Sequence, residues 1–157
     1  MADRLEPRFV DNRAIKVAGL RGRFGADSRT AIPALWQRMV ASLSQVQDKV
    51  GFAAYGLCFP MESGFDYLAD IEIAGTAPLP NGWTVVTVPA GRYAVFPHDG
   101  HASTIWQTME AIGGWLRTSG HQHAFSEGAP GFFEHYGEKF DPRTGTGDIE
   151  IWMPLDG

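Results

Sequence analysis

Leu35-Trp36-Gln37-Arg38-Met39 returns 70 residues later as Ile105-Trp106-Gln107-Thr108-Met109, and this recurrence decides how the chain is read. Asp70-Ile71-Glu72-Ile73 returns as Asp148-Ile149-Glu150-Ile151 at an offset of 78. Ala18-Gly19 with Phe24 matches Ala90-Gly91 with Phe96 at 72, and Tyr55-Gly56 matches Tyr136-Gly137 at 81. Four matches in one order, with offsets that drift only as loops change length, indicate two copies of one supersecondary unit. The cleft between the copies is the first place to look for a binding site.

Local patterns give each copy the same layout. Ala14 to Phe24 reads as a strand bent at Gly19 or Gly22. Thr30 offers a helix cap, and Ile32, Leu35, Trp36, Met39, Val40, Leu43 and Val46 form one helical face that Gly51 is expected to end. Phe52 to Phe59 and Phe65 to Ile73 are strand-like, separated by Pro60, Ser63 and Gly64. In the second copy Trp83 to Val88 alternates as a strand, bends at Pro89-Ala90-Gly91 and continues through Tyr93 to Phe96. A helix over Thr104 to Arg117 follows, then a polar loop from Ser119 to Gly131. Strands from Phe132 to Tyr136 and Asp148 to Met153 flank a turn-rich stretch, Asp141 to Gly147. Gly113-Gly114 inside the second helix costs about 1 kcal/mol per glycine relative to alanine.

Each copy buries one helix face and exposes sheet edges, so the two should share one sheet. The expected class is α+β: a duplicated β-α-β-β unit with pseudo-twofold symmetry, about eight largely antiparallel strands and two main helices. Residues 1–157 read as a single domain, with repeat 1 at about 8–76 and repeat 2 at about 83–155.

Composition narrows the function. A hydrophobic content of 44% with 20% charge is that of an ordinary globular chain, and a net charge of −5 without a basic run argues against a nucleic-acid surface. The start, Met1 to Pro7, lacks the apolar core of a signal peptide, and no apolar stretch approaches the ~18–20 residues of a membrane span. A cytoplasmic location is the expectation. The one cysteine, Cys58, lies in an apolar run and reads as a small buried hydrophobe. His98, His101, His121 and His123 lack the spacing of a zinc hydrolase, and no phosphate-cradling loop, dinucleotide fingerprint or serine elbow is present. No cofactor and no metal are expected.

Phe132-Phe133-Glu134-His135-Tyr136 is where chemistry concentrates. Alternation puts Phe132, Glu134 and Tyr136 on one face of a strand, and Phe133 and His135 on the other. A carboxylate between two aromatics is awkward in a core, where an unpaired charge is strongly disfavoured. It fits either an edge position facing water or a pocket for a flat cation, whose stacking on each ring adds about 0.5–2 kcal/mol. Trp36 and Trp106 occupy equivalent helix positions and read either as packing or as walls of the cleft. Tyr55, Phe65 and Tyr67, on strands beside the cleft, carry the same two readings.

An ordered set of motifs extends this pattern: Ile32-Pro33-x-x-Trp36, Tyr55-Gly56, Phe65-x-Tyr67, Pro89-Ala90-Gly91-x-Tyr93-x-x-Phe96-x-His98-x-Gly100, Phe133-Glu134-x-Tyr136 and Ile149-x-Ile151-Trp152-x-Pro154-Leu155. From about Pro7 to Leu155 the chain resembles the gyrase-inhibitor-like small-molecule-binding domain, the effector-binding domain of AraC-type and multidrug-sensing bacterial transcription regulators. The resemblance implies a groove between the repeats that takes lipophilic, often cationic, aromatic compounds. It also implies a glutamate, matched here by Glu134, that neutralises the ligand's charge. Glu134, Tyr136, Phe132, Trp36, Tyr55, Phe65, Tyr67 and Trp106 are the expected ligand-binding residues. Family regulators carry a separate helix-turn-helix domain for which this chain has no room, so the expected role is a stand-alone module that senses or sequesters its ligand. No direct nucleic-acid or membrane contact is expected; a partner regulator protein or a homodimer is. The alternatives are a hydrolase of reactive natural products, with Glu134 as general base, and a gyrase-inhibitor-like protein-interaction role.

Overall fold

The computed structural model describes residues 6–25, 27–124, 128–141 and 143–156. Met1 to Leu5, residues 125–127 of the expected loop and Pro142 of the expected turn lie outside the described residues. Among the described residues eight strands form one antiparallel sheet: β1 (Arg8–Asn12), β2 (Ile15–Phe24), β3 (Lys49–Pro60), β4 (Phe65–Ile73), β5 (Thr84–Val88), β6 (Gly91–His98), β7 (Phe132–Tyr136) and β8 (Ile149–Leu155). Helix α1 (Ile32–Ala41) joins β2 to β3, and α2 (Ile105–Ser119) joins β6 to β7. The α+β class expected from the repeats is the one observed.

The spatial order β1-β6-β8-β7-β3-β4-β2-β5 reads symmetrically from its two ends. β2, β3, β4 and β5 match β6, β7, β8 and β1 about a pseudo-twofold axis between β3 and β7. The edge strands are exchanged across it. β1 runs directly into β2 yet pairs with β6, and β5 runs into β6 yet pairs with β2. Trp83 to Phe96 is therefore two strands in opposite halves rather than one bent strand. Pro89, which lacks a backbone N–H, sits at the break, where no ladder bond is required of it.

The first helix is shorter than its apolar periodicity suggests. α1 stops at Ala41, a single 3₁₀ turn covers Leu43–Gln45, and Val46 is extended. Val40 is 55% exposed, so the apolar face narrows to Leu35 and Met39. Asp48 then ties the exit to the end of β4, its Oδ2 accepting from the N–H groups of Gly75 (2.7 Å) and Thr76 (2.8 Å). Gly51 does not end the helix. It lies in β3 at φ 68°, within the irregular stretch where the β3–β4 register shifts, a conformation that favours glycine.

Strand alternation divides the core into two faces. On the helix side, Ala18, Tyr67, Ala69 and Ile71 lie with Leu35 and Met39 of α1, and Phe96, Ile149 and Ile151 lie with Ile105 and Ile112 of α2. The helix-free face buries Val17, Tyr55, Leu57, Leu68, Val95 and Phe133, with Trp152 packed against them. Burial of such side chains is worth about 1.5–3 kcal/mol each and holds both layers to the sheet. Trp36 touches both helix-side clusters, which places it over the junction of the two halves.

Candidate functional site

Glu134 sits beside the pseudo-twofold axis. On β7 it lies opposite Gly56 of β3 and Ile151 of β8. Phe132 and Tyr136 pack on the helix side while Phe133 joins the opposite face, as alternation requires. Glu134 does not point to open water: it is 9% exposed. Tyr67 donates its hydroxyl to Glu134 Oε1 at 2.5 Å, Tyr136 donates to the same oxygen at 2.7 Å, and Trp36 Nε1 donates to Tyr67 Oη at 3.1 Å. The rings form the surrounding wall, with Trp36 and Tyr136 edge-on at 5.4 Å and Trp36 and Tyr67 at 6.3 Å.

The contact between Tyr67 and Glu134 passes over Gly56. A Cβ at that position would overlap Tyr67 Oη and stand 2.5 Å from Glu134 Oε1. The cluster thus requires a residue without a side chain at position 56. The sequence signals it only as half of a dipeptide motif. Phe24 and Phe140, edge-on to Tyr67 (6.4 Å) and Tyr136 (4.8 Å), complete the wall and carry no sequence signal of that role.

Burial pushes the Glu134 carboxyl above its ordinary range, and the two phenol hydrogen bonds pull it only part of the way back. Both phenols are held far above theirs, chiefly by burial and then by the adjacent carboxylate, so they remain donors. Among the described residues no Lys, Arg or His pairs with Glu134, whereas Glu72, the other buried glutamate, pairs with Arg13 at 2.8 Å. The cluster is a buried acceptor with two neutral donors, aromatic walls and no counter-charge.

Trp36, Tyr67, Glu134 and Tyr136 are brought together; the other expected residues are distributed around or away from them. Phe132 packs beneath α2 and Phe65 beside Phe24 at 6.0 Å, both on the helix side. Tyr55 is on the other face, against Phe133 and His135 at 5.7 and 5.2 Å. Tyr55 and Tyr136, matched in the repeat, thus lie on opposite faces of the sheet, and across the ladder Tyr136 stands next to Ala54 while Tyr55 stands next to His135. Trp106 shares the helical offset of Trp36 but not its setting. It is the second residue of α2, is 44% exposed, and stacks on no described aromatic ring.

Opposite the Glu134 cluster, Asp70, Tyr55, His135 and Glu150 lie in one register across β4, β3, β7 and β8. Asp70 is fully buried and neither oxygen has a hydrogen-bond partner; burial, then the charge of Glu134, hold its carboxyl well above the ordinary range. Burial pushes Tyr55 up to about 12 and His135 down. A cavity of about 120 Å³ beside Tyr93 and Pro154 has aromatic walls without a carboxylate. Another of about 180 Å³ beside Leu43 has Glu72, already paired, without aromatics. Among the described residues no group of three His, Cys, Asp or Glu gathers as metal ligands, and no helix is long and apolar enough to cross a membrane.

Comparison with known proteins identifies the fold and the family. The transcriptional regulator BrlR of Pseudomonas aeruginosa is 29% identical over 154 residues, which cover 96% of this chain and 56% of that protein. The chain thus spans little more than half the length of that relative. The structure of SAV2435 bound to tetraphenylphosphonium superposes with a TM-score of 0.75 at 22% identity, covering 98% of this chain and 95% of that one. The EcmrR C-terminal domain superposes with a TM-score of 0.76 at 12% identity, covering 97% and 98%. These two likenesses establish the fold. The family model for the GyrI-like small molecule binding domain matches residues 5–156, and the chain belongs to that family.

Proposed function

We propose that the protein binds lipophilic, flat or propeller-shaped aromatic cations at Glu134, and thereby senses or sequesters them. The observation that carries this reading is the carboxylate itself: buried, hydrogen-bonded by two phenols, walled by Trp36, Tyr67 and Tyr136, and, among the described residues, without a cationic partner. An unpaired buried charge costs several kcal/mol when nothing compensates it, and a ligand cation supplies the compensation while its rings lie against aromatic faces. A neutral or anionic ligand would leave that cost in place. The tetraphenylphosphonium held by SAV2435 is a cation of this class. Because the carboxylate is nearly covered, a ligand ring enters where Trp36 yields, and the edge-on contacts of Trp36 with Tyr67 and Tyr136 are the ones that must part.

Tetraphenylphosphonium and tetraphenylborate test the charge requirement, because they share a shape and differ in sign. Calorimetric titration should detect the phosphonium and not the borate. Glu134→Gln should weaken phosphonium binding by about 5- to 150-fold, the range of an interaction with a charged group. Equal phosphonium affinity in wild type and Glu134→Gln would remove this reading.

A further inference from the structure

The two oxygens of Glu134 are not equivalent. Oε1 receives both available phenol protons, from Tyr67 at 2.5 Å and from Tyr136 at 2.7 Å. Among the described residues no hydrogen bond reaches Oε2, and the fully enclosed polar side-chain atoms without partners are others: Asp48 Oδ1, both Asp70 oxygens and His135 Nδ1. Oε2 therefore keeps access to solvent. Trp36 cannot serve it, because the indole N–H is already given to Tyr67 Oη at 3.1 Å. Gly56, directly across the ladder, brings no side chain. One oxygen is saturated and fixed; the other is an open acceptor on a carboxylate in a largely dry setting.

Resting on the cation-binding reading above, we infer that Oε2 selects cations carrying an N–H, such as protonated amines and ring-protonated heteroaromatics, over quaternary cations of the same shape. Both kinds of ligand gain from the charge and the rings. Only the N–H cation also satisfies the open acceptor, with a charge-assisted hydrogen bond of about 2.7–2.9 Å that is roughly twice as strong as a neutral one. A quaternary cation covers Oε2 with alkyl or aryl carbon and removes its water without replacing the hydrogen bond. The fixed Oε1 sharpens the distinction: with two phenol donors already on it, that oxygen has little capacity left to compensate, so discrimination falls on a single atom.

Acridine orange and its 10-methyl derivative are the probes. Both are flat cations at neutral pH; the first carries a proton on the ring nitrogen and the second a methyl group. Fluorescence or calorimetric titration of the full chain should give acridine orange about 10- to 100-fold the affinity of the methylated dye, as expected for one hydrogen bond to a charged group. In Glu134→Gln the phenols hold the amide oxygen at the Oε1 position and turn its NH₂ toward the ligand, so the difference should shrink to within about threefold as the acceptor is lost. Equal affinities of the two dyes for wild type would overturn the inference while leaving cation binding intact. A difference that persists in Glu134→Gln would also overturn it, since it would mark obstruction by the methyl group. Binding of neither dye would remove both the inference and the reading beneath it.

Discussion

Gly56→Ala tests the cluster without touching any of its functional groups. The new Cβ would overlap Tyr67 Oη and lie 2.6 Å from Tyr67 Cζ and 2.5 Å from Glu134 Oε1. Something must shift, and the tightest contacts are between Tyr67 and Glu134. Losing a hydrogen bond to a carboxylate costs about 1.5–3 kcal/mol, and weakening the Trp36–Tyr67 bond adds about 0.5–1 kcal/mol. The gain from replacing a strand glycine, about 0.5–1 kcal/mol, offsets part of this. The expected net loss is about 1–3.5 kcal/mol, centred on ~2 kcal/mol, which a domain of ordinary stability survives. With a urea m-value of about 1–3 kcal/mol/M, a loss of ~2 kcal/mol lowers the unfolding midpoint by about 0.7–2 M. A double-mutant cycle identifies the cause. In a Tyr67→Phe background the overlapped oxygen is gone, so Gly56→Ala should cost at least about 1 kcal/mol less than in wild type. The reasoning is refuted if Gly56→Ala leaves the midpoint unchanged, or if its cost is the same in both backgrounds.

Three further outcomes are expected. Because burial holds the Glu134 carboxyl above its ordinary 4.5, tetraphenylphosphonium affinity should be full above the raised value and fall as pH drops through it, toward that of Glu134→Gln; titrations from neutral pH down to the ordinary carboxylate range on both proteins check this, and a wild-type profile flat throughout would contradict it. Asp70 protonates more readily folded than unfolded, so its contribution to stability is complete below the unfolded value, near 3.8, and is lost as pH rises toward the folded one. Asp70→Asn should flatten that part of the stability–pH curve, by about 1.4 kcal/mol for every tenfold difference in proton affinity between the folded and unfolded carboxyl, as read by denaturation at pH 4 and 8. Gly113→Ala and Gly114→Ala place a methyl group only against the Arg117 guanidinium, at 3.6 and 3.7 Å, which is ordinary contact. Each should stabilise α2 by about 0.5–1 kcal/mol in thermal unfolding, and a lowered midpoint would show a close approach that this geometry does not contain.

The sequence alone determined what lies within single elements. Period-2 alternation put Phe132, Glu134 and Tyr136 on one face of β7 and left Phe133 on the other, and the apolar spacing in α1 chose Leu35 and Met39 as core positions. The recurrence of Leu35-Trp36 as Ile105-Trp106 disclosed two related halves, because a repeated pattern implies a repeated fold. Tertiary structure decided everything that depends on pairing between distant segments. The exchange of β1 and β5 between halves leaves no local trace, since a strand's own pattern does not name its neighbour. Tyr55 and Tyr67 are equally plausible phenols by their sequence context. Only the register of β3 between β4 and β7, with Gly56 opposite Glu134, lets Tyr67 reach across to the carboxylate and turns Tyr55 to the opposite face. Trp36 and Trp106 likewise share a sequence context and differ in what stands beside them. Alternation within a strand fixes the side on which a residue lies, and non-local register fixes what it meets there.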